Sequence, residues 1–403
     1  MNAAPWLSVV GIGEDGLAGL GEAARARIAE AQVLAGGRRH LALVPSSEAL
    51  RLPWGTPLED SVRALAEHRG RKVVVLASGD PSWYGVAKVV LRHFPAEEVV
   101  VIPHLSAFQL AAARLGWPLE EVGTVSLHGR PVTRLLREIV PGRRLLILTS
   151  GPRMPSSIAD LLARHGYGAA RITVFGRLGG PRETVWEGGT EEVAGQRFPI
   201  LNLVAVTLPR EPEVTAEGTV LELEDDAFEH DGNITKAEYR AAAIARLQPG
   251  PGRLLWDVGA GSGAMAVTWL FRCREGAATA IEKRPDRIVR IRRNAARLGT
   301  PELRIVEGEA PAVLPREETP DAVFIGGGLA TPDLLRLCFE RLAPGGRLVA
   351  HAVTMGGEQM LYGFHQEVGG SLQRLSLSRA EARGDHLLWR PLAPVTQYAI
   401  TKR

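Results

Sequence analysis

The sequence predicts an α/β protein built as two successive domains, and three observations predict it. Short apolar runs alternate with helical stretches along the whole chain, the pattern of strands crossed over by helices. The chain has 403 residues, about twice a typical domain. Between the halves lies a polar, proline-bearing stretch, Pro209-Arg-Glu-Pro-Glu-Val-Thr-Ala-Glu-Gly218, with the acidic run Glu222-Leu-Glu-Asp-Asp226 behind it. That linker sets the expected domains at 1–210 and 211–403.

In the first half, strands are expected at 7–10, 73–76, 99–102, 145–148, 172–175 and 201–208, with a helix over 17–32. The alternation argues for a mostly parallel sheet. The second half restarts with an alanine-rich helix over 235–247. Strands follow at 254–257, 277–281, 303–306, 321–325 and 347–351, with helices between, and 372–377 and 396–400 are expected as an antiparallel edge.

Composition narrows the partners. Hydrophobic residues make up 45% and charged residues 23%, ordinary values for a globular chain. No apolar run reaches the roughly 18 residues that span a bilayer, and no basic-then-apolar leader opens the chain, so the expectation is a cytoplasmic protein with no membrane partner. Cys273 and Cys338 lack Cys-x-x-Cys spacing and read as reduced core thiols. The ten histidines never pair at i,i+3 or i,i+4, so no metal is expected. Only five basic residues are lysine, leaving 43 of 48 as arginine, the side chain better suited to two-pronged carboxylate recognition. An acidic substrate fits; nucleic acid does not, since the arginines are dispersed among acids.

The most informative motif is Leu254-Leu-Trp-Asp-Val-Gly-Ala-Gly-Ser-Gly263, a strand that runs into Asp257 and then Gly259, Ala260, Gly261, Ser262 and Gly263. Glycines at that spacing let the backbone turn tightly against a ligand at the start of a helix. A second strand ends on Glu282, placed to accept both ribose hydroxyls of a nucleoside. Asp257 before the loop, and Gly-x-Gly-x-Gly in place of Gly-x-Gly-x-x-Gly, favour S-adenosylmethionine over a dinucleotide. Three further pieces fall where such a pocket needs them. Thr235 opens the preceding helix, as its cap or as a contact to the ligand carboxylate. Gly308-Glu-Ala310 follows the third strand, beside the adenine. Asp321-Ala-Val-Phe-Ile-Gly-Gly-Gly328 ends the fourth, where methyl would meet acceptor. No Asn/Asp-Pro-Pro-aromatic motif of the kind that binds an exocyclic amine follows it, which points to a carbon made nucleophilic by its own conjugation.

In the first half, Val9-Val-Gly-Ile-Gly-Glu-Asp-Gly16 taken alone is a glycine turn. Its company gives it weight: Ala77-Ser-Gly79-Asp80-Pro81-Ser-Trp-Tyr-Gly85 after one strand, and Pro103-His-Leu-Ser106-Ala107-Phe-Gln-Leu-Ala-Ala-Ala-Arg-Leu-Gly116 after the next. The Gly-Asp-Pro turn exposes backbone to a ligand, and Ser106 can cap the helix that follows.

On these motifs, together with Val33-Leu-Ala-Gly-Gly-Arg-Arg-His-Leu41 and Leu201-Asn-Leu-Val-Ala-Val206, residues 5–208 resemble the tetrapyrrole methyltransferases, in their branch acting on late precorrins. Residues 230–403 resemble the class I partner of that branch, through Thr235-Lys236, the glycine loop and Trp389-Arg-Pro-Leu-Ala-Pro-Val-Thr-Gln397. The resemblance implies a two-lobed tetrapyrrole-methyltransferase domain followed by a Rossmann-like class I methyltransferase domain. It implies one S-adenosylmethionine per domain and a tetrapyrrole (precorrin) substrate of cobalamin biosynthesis. Methylation at meso position 5 would fall to the first half. Methylation at position 15, with loss of the ring C acetate carboxyl, would fall to the second, giving precorrin-8X. The implied cofactor contacts are Gly79, Asp80, Ser106, Ala107, Thr235, the 259–263 loop, Glu282 and Ala310. Arg38, Arg39, Arg130 and Arg153 are candidates for the substrate's peripheral carboxylates, and a homo-oligomer is expected. Ala107 and Glu309 depart from the serine and aspartate that relatives often carry. Two rivals stand beside this reading. An RNA methyltransferase would need a basic patch and stacking aromatics, and aromatics make up 5% here; a non-catalytic tetrapyrrole binder would be expected to lose Asp257, Glu282 or the glycines, and all are present.

Overall fold

The computed structural model describes residues 5–213, 223–314 and 318–403. The chain divides into two compact units, Met1–Arg130 with Val140–Glu213, and Pro131–Ile139 with Val214–Arg403. Residues 214–222 of the expected linker lie outside the described residues.

The first unit holds two five-stranded sheets. One is wholly parallel, in the order Leu50–Pro53, Val33–Gly36, Val73–Ser78, Leu7–Ile12, Val99–Ile102. Its central strands are predominantly apolar because both faces are covered: Leu7, Val9, Val73 and Val75 pack into one core, and Val10, Ile12, Val74 and Leu76 into another. The other sheet corrects the expectation of mostly parallel strands. Its order is Val122–Ser126, Arg144–Leu148, Asn202–Thr207, Arg171–Gly176, Thr184–Gly189, and only the first pair is parallel. Val122–Ser126 and Thr184–Gly189 escape a sequence reading because Gly, Thr and Glu interrupt their apolar residues. The helix expected over 17–32 is also shorter. A single turn, Gly16–Gly19, comes first, then Gly21 as N-cap, and the helix proper is Glu22–Ala29. Glycines at 16, 19 and 21 remove the side chains that would hold one continuous helix.

The second unit is a seven-stranded sheet ordered Arg304–Glu307, Ala277–Glu282, Leu254–Val258, Ala322–Ile325, Arg347–Ala352, Val395–Thr401, Ser371–Leu375. The first five are parallel and the last two antiparallel, as expected for the end of the chain. From Leu254–Val258 the strand order runs outward one way, then returns to Ala322–Ile325 on the other side. That reversal opens a crevice beyond the carboxyl ends of these two strands. Helix Ala264–Arg272, buried at seven successive positions, fills one face with Trp269, Ala266 and Leu270 against Leu255 and Phe324. Trp256, Val258, Val323 and Ile325 build the other core. A hairpin, Ser378–Arg383 with His386–Pro391, extends from this unit around a turn at Gly384 with φ +61°. The sequence reading lacks it, since its apolar residues, Leu387 and Trp389 among them, are exposed and give no core alternation. Among the described residues no helix is long and apolar enough to cross a membrane.

Candidate functional site

At the reversal of the second sheet, Gly259, Gly261 and Gly263 have φ of +69°, +60° and +77°. This is the left-handed region, which costs an L-residue roughly 1–2 kcal/mol. The three are constrained differently. A Cβ on Gly259 would come 2.9 Å from the Gly327 carbonyl oxygen, and one on Gly263 would come 2.9 Å from Ile291 Cγ2. One on Gly261 would meet nothing nearer than 3.6 Å. Gly259 and Gly263 are therefore fixed by the protein itself. Gly261 faces space.

That space is a cavity of about 370 Å³, in the range of ligand sites, lined by Asp257, the 259–262 loop, Thr235 and Gly326-Gly327. Beyond Gly259 and Gly327, which line both, lies a second cavity of about 170 Å³ bordered by Glu282, Gly308 and Ala310. Two adjoining chambers, one beside Asp257 and one beside Glu282, fit an elongated nucleoside conjugate such as S-adenosylmethionine.

Two acids set the electrostatics. Glu282 is buried, and its carboxylate accepts the N–H groups of Gly261 at 2.8 Å and of Lys283 and Arg284 at 3.0 Å each. Three of its roughly four lone-pair positions are thus taken, leaving one, on Oε2, for a ligand hydroxyl. Asp257 is buried, and its Oδ2 accepts from Ala266 N at 3.0 Å. Burial pushes its carboxyl up to about 7, with the charge of Glu282 adding to the rise and the Ala266 bond opposing it. Thr235 lines the larger cavity but caps nothing with its side chain: Lys236 is the N-cap of helix Ala237–Leu247, and the Thr235 carbonyl accepts from Arg240 at 2.5 Å.

In the first unit the predicted residues come together at the carboxyl ends of the parallel strands. Gly79 has φ +52°, and a Cβ there would come 2.7 Å from Ser106 Cα. The Gly-Asp-Pro turn and the helix start are therefore packed backbone to backbone. Asp80 Oδ1 accepts from Ser82 N at 2.8 Å, an Asx turn. Ser106 is the buried N-cap of helix Ala107–Leu115 in a full capping box, accepting from Gln109 N at 3.4 Å while Gln109 Oε1 accepts from Ser106 N at 2.8 Å. Ala107 is the first residue of that helix.

The four arginines separate. Arg39 is engaged by Glu14, Ser78 Oγ at 2.7 Å and His40 Nε2 at 2.7 Å. Burial, with Arg39 beside it, brings His40 down to about 4. Arg38 is exposed. Arg130 and Arg153, both exposed, follow the ends of the neighbouring parallel strands Val122–Ser126 and Arg144–Leu148, with Arg130 also donating to Ser126 O at 3.2 Å.

Comparison with known proteins decides the family. The profile of the tetrapyrrole (corrin/porphyrin) methylases matches residues 7–194, and that of the precorrin methyltransferase domain matches 226–402. A precorrin-6Y C(5,15)-methyltransferase [decarboxylating] from Sinorhizobium is 44% identical over 406 residues, covering 99% of this chain and 97% of its own. The chain belongs to the decarboxylating precorrin-6Y C(5,15)-methyltransferases. Two shorter relatives each cover 42% of it. One is a cobalt-precorrin-7 C(5)-methyltransferase of Salmonella typhimurium, 35% identical over 83% of its length. The other is a probable cobalt-precorrin-6B C(15)-methyltransferase (decarboxylating) of Pyrobaculum aerophilum, 32% identical over 87% of its length.

Several residues of this precorrin-6Y family member line the larger cavity without having been singled out in the sequence: Tyr239, Arg287, His351 and Val353. Tyr239 and His351 sit inside an ordinary helix and an ordinary strand, and the sheet's strand order is what brings them to the crevice.

Proposed function

We propose that the two halves divide the reaction family membership gives the chain: S-adenosylmethionine-dependent methylation of a precorrin at C5 and C15 with decarboxylation, in cobalamin biosynthesis. The first unit methylates C5; the second methylates C15 and releases carbon dioxide. The observation that carries this reading is the adjoining pair of cavities at the strand reversal, lined by residues of the second unit. In support, the two activities also carry separate names in relatives that each cover 42% of the chain.

The second unit is proposed to hold S-adenosylmethionine with its adenosine beside Glu282 and Ala310 and its methionine end beside Asp257 and Thr235. Gly261 leaves room for close approach. The bound cofactor supplies an electrophilic methyl. The chain's part is to orient it and exclude water. Val353, 64% exposed at the cavity rim, offers an apolar surface to a macrocycle. In the first unit, Gly79, Asp80, Ser106 and Ala107 form the backbone platform proposed for a second cofactor, and Arg38, Arg130 and Arg153 bind peripheral carboxylates. The reading carries a cytoplasmic location, in keeping with two buried, unpaired cysteines. It also carries a homo-oligomer, for which the exposed Leu387 and Trp389 of the hairpin supply apolar surface; sedimentation tests that.

The deciding experiment gives the full chain labelled S-adenosylmethionine and a precorrin substrate, and follows methyl transfer and carbon dioxide separately. Asp80→Ala should lower only the C5 methylation, and Gly261→Val only the C15 methylation and decarboxylation. Carbon dioxide release that follows Asp80→Ala and survives Gly261→Val overturns the division. Calorimetry should find two cofactor sites; one site would remove one proposed centre.

A further inference from the structure

Decarboxylation moves a proton, and nothing above says which group carries it. His351, in strand Arg347–Ala352, lines the larger cavity and is 7% exposed. Its ring stands edge-on to Phe324, centroids 5.0 Å apart, and its Nε2 lies 2.9 Å from Oε1 of the buried Gln397. The Gln397 amide nitrogen is turned to Gln373 Oε1 at 3.4 Å, so its oxygen accepts from His351. This fixes the tautomer with hydrogen on Nε2. Nδ1 then carries a lone pair, buried and without a partner. Burial holds the imidazole below the usual histidine range, so the lone pair is present at neutral pH.

The cavity's cationic and phenolic side chains are committed elsewhere, and Asp257 is the group proposed to meet the methionine end of the cofactor. Arg287 is held by Asp231 at 2.9 Å, Lys236 faces Asp225 at 3.6 Å, Tyr239 donates to Ala393 O at 3.1 Å, and Asp257 accepts from Ala266 N. Among the described residues lining the cavity, His351 is the one with a buried side-chain polar atom that has no hydrogen-bond partner.

We propose that His351 Nδ1 is the proton carrier of the second unit's reaction, taking the proton displaced from the methylated meso carbon and returning it to the carbon that loses its carboxyl group. This rests on the assignment of C15 methylation and decarboxylation to that unit. The balance closes internally. The meso carbon forms its bond to the methyl group as the S–CH₃ bond breaks and the sulfonium becomes a neutral thioether. Nδ1 removes that carbon's hydrogen as a proton, and the C–H electron pair returns to the conjugated ring. The bond from the acetate methylene to its carboxylate then breaks, carbon dioxide leaves, and the electron pair left behind takes the proton from Nδ1. One carboxylate and one sulfonium are consumed, and no proton is drawn from water.

The test uses the full chain. His351→Gln keeps an N–H for Gln397 and removes the base; His351→Phe keeps the ring against Phe324 and removes both nitrogens. Both should slow carbon dioxide release about 100-fold or more, the scale of lost general acid–base catalysis. C5 methylation and cofactor affinity by calorimetry should stay within about threefold. In D₂O the wild-type product should carry less than one deuterium in the methyl left by decarboxylation, and residual turnover by the variants should give one full deuterium. Nitrogen-15 shifts of the ligand-free wild-type chain should show neutral His351 with hydrogen on Nε2, a readout independent of turnover and of how the variants fold. Unslowed decarboxylation in both variants, one full deuterium in the wild-type product, or hydrogen on Nδ1 overturns the proposal. Carbon dioxide release that survives Gly261→Val overturns instead the assignment beneath it.

Discussion

The two units meet a ligand's demand for exposed backbone at strand tips in opposite ways. In the second unit the tip residues leave space: Gly261 faces a cavity, Asp257 is buried with no cation beside it among the described residues, and Glu282 keeps one lone pair free. In the first unit the equivalent residues are spent on local structure. Gly79 packs on Ser106, Asp80 closes its own turn, Ser106 caps its helix, and Arg39 is clasped by Glu14, Ser78 and His40. A motif therefore marks where backbone is shaped for a ligand, and only the packing around it says whether its side chains are free to touch one.

Glycine substitutions should break this contrast most sharply. Gly261→Ala adds a methyl group with no neighbour nearer than 3.6 Å, so its cost is the left-handed backbone, about 1–2 kcal/mol. Cofactor binding by the second unit should fall at least tenfold while the fold persists. Gly11→Ala should do the reverse. Its Cβ would run into the Gly79 carbonyl oxygen and come 2.7 Å from His104 N, both of them backbone. Overpacking of that kind costs about 3 kcal/mol. Melting curves and calorimetry on the two variants check the pair; a Gly11→Ala chain as stable as the parent would mean that the first unit is as open as the second.

Legibility followed the same line. The glycine loop, Glu282 and the parallel strands around them could be read because a buried parallel sheet writes continuous apolar runs ending in glycine or acid. The first unit's second sheet was misjudged as mostly parallel because direction is set by long-range pairing: Asn202–Thr207 runs antiparallel between two strands that look just like it locally. His351 could not be found from sequence, since its neighbours Ala350 and Ala352 are core residues and only the register beside Gln397 brings it to the cavity. Thr235 was legible in place, and the structure removes capping from its two possible roles.

Glu282→Ala tests the smaller chamber. It deletes the acceptor proposed for ribose and also leaves the Gly261, Lys283 and Arg284 N–H groups without theirs. A hydrogen bond to a charged group contributes about 1.5–3 kcal/mol, so affinity should drop about tenfold to hundredfold at one of the two proposed cofactor sites. Calorimetry that finds both sites weakened equally would show that Glu282 acts through general stability.

Asp257 gives a pH signature that the first unit should lack. With its carboxyl near 7, it is mostly neutral at pH 6 and mostly ionised at pH 8. A ligand bearing sulfonium and ammonium charges prefers the ionised form, so second-unit affinity should rise about tenfold from pH 6 to pH 8. Stability runs the other way. A folded-state pKa above the unfolded value of 3.8 means that the folded chain holds this proton more tightly, so its contribution is fullest below pH 4 and is lost as pH climbs to about 7. Asp257→Asn should flatten both trends, and a pH-independent affinity in the parent would place the ligand's charges away from Asp257.

The smallest effects sharpen the comparison inside the first unit, among arginines that look alike in sequence. Arg153 is exposed at the N-cap of helix Met154–Arg164, where among the described residues no side chain pairs with its guanidinium. If it reaches a peripheral carboxylate of the macrocycle through water-exposed contacts, its loss removes about 0.2–1 kcal/mol. Arg153→Ala should therefore raise the KM of C5 methylation about twofold to fivefold and leave kcat and melting temperature unchanged. Arg39 differs because its charge already has partners. Arg39→Ala releases Glu14, Ser78 and His40 at the strand tips. It also removes the charge that helps keep His40 neutral. Its effect should appear as a lower melting temperature, with kcat and KM falling out of line together and Arg39→Lys restoring little, since a single ammonium cannot span three acceptors held by a planar fork. Matched kinetics for the two variants, each changing KM alone, would make Arg39 a substrate contact after all and the first unit's strand tips as available as the second's.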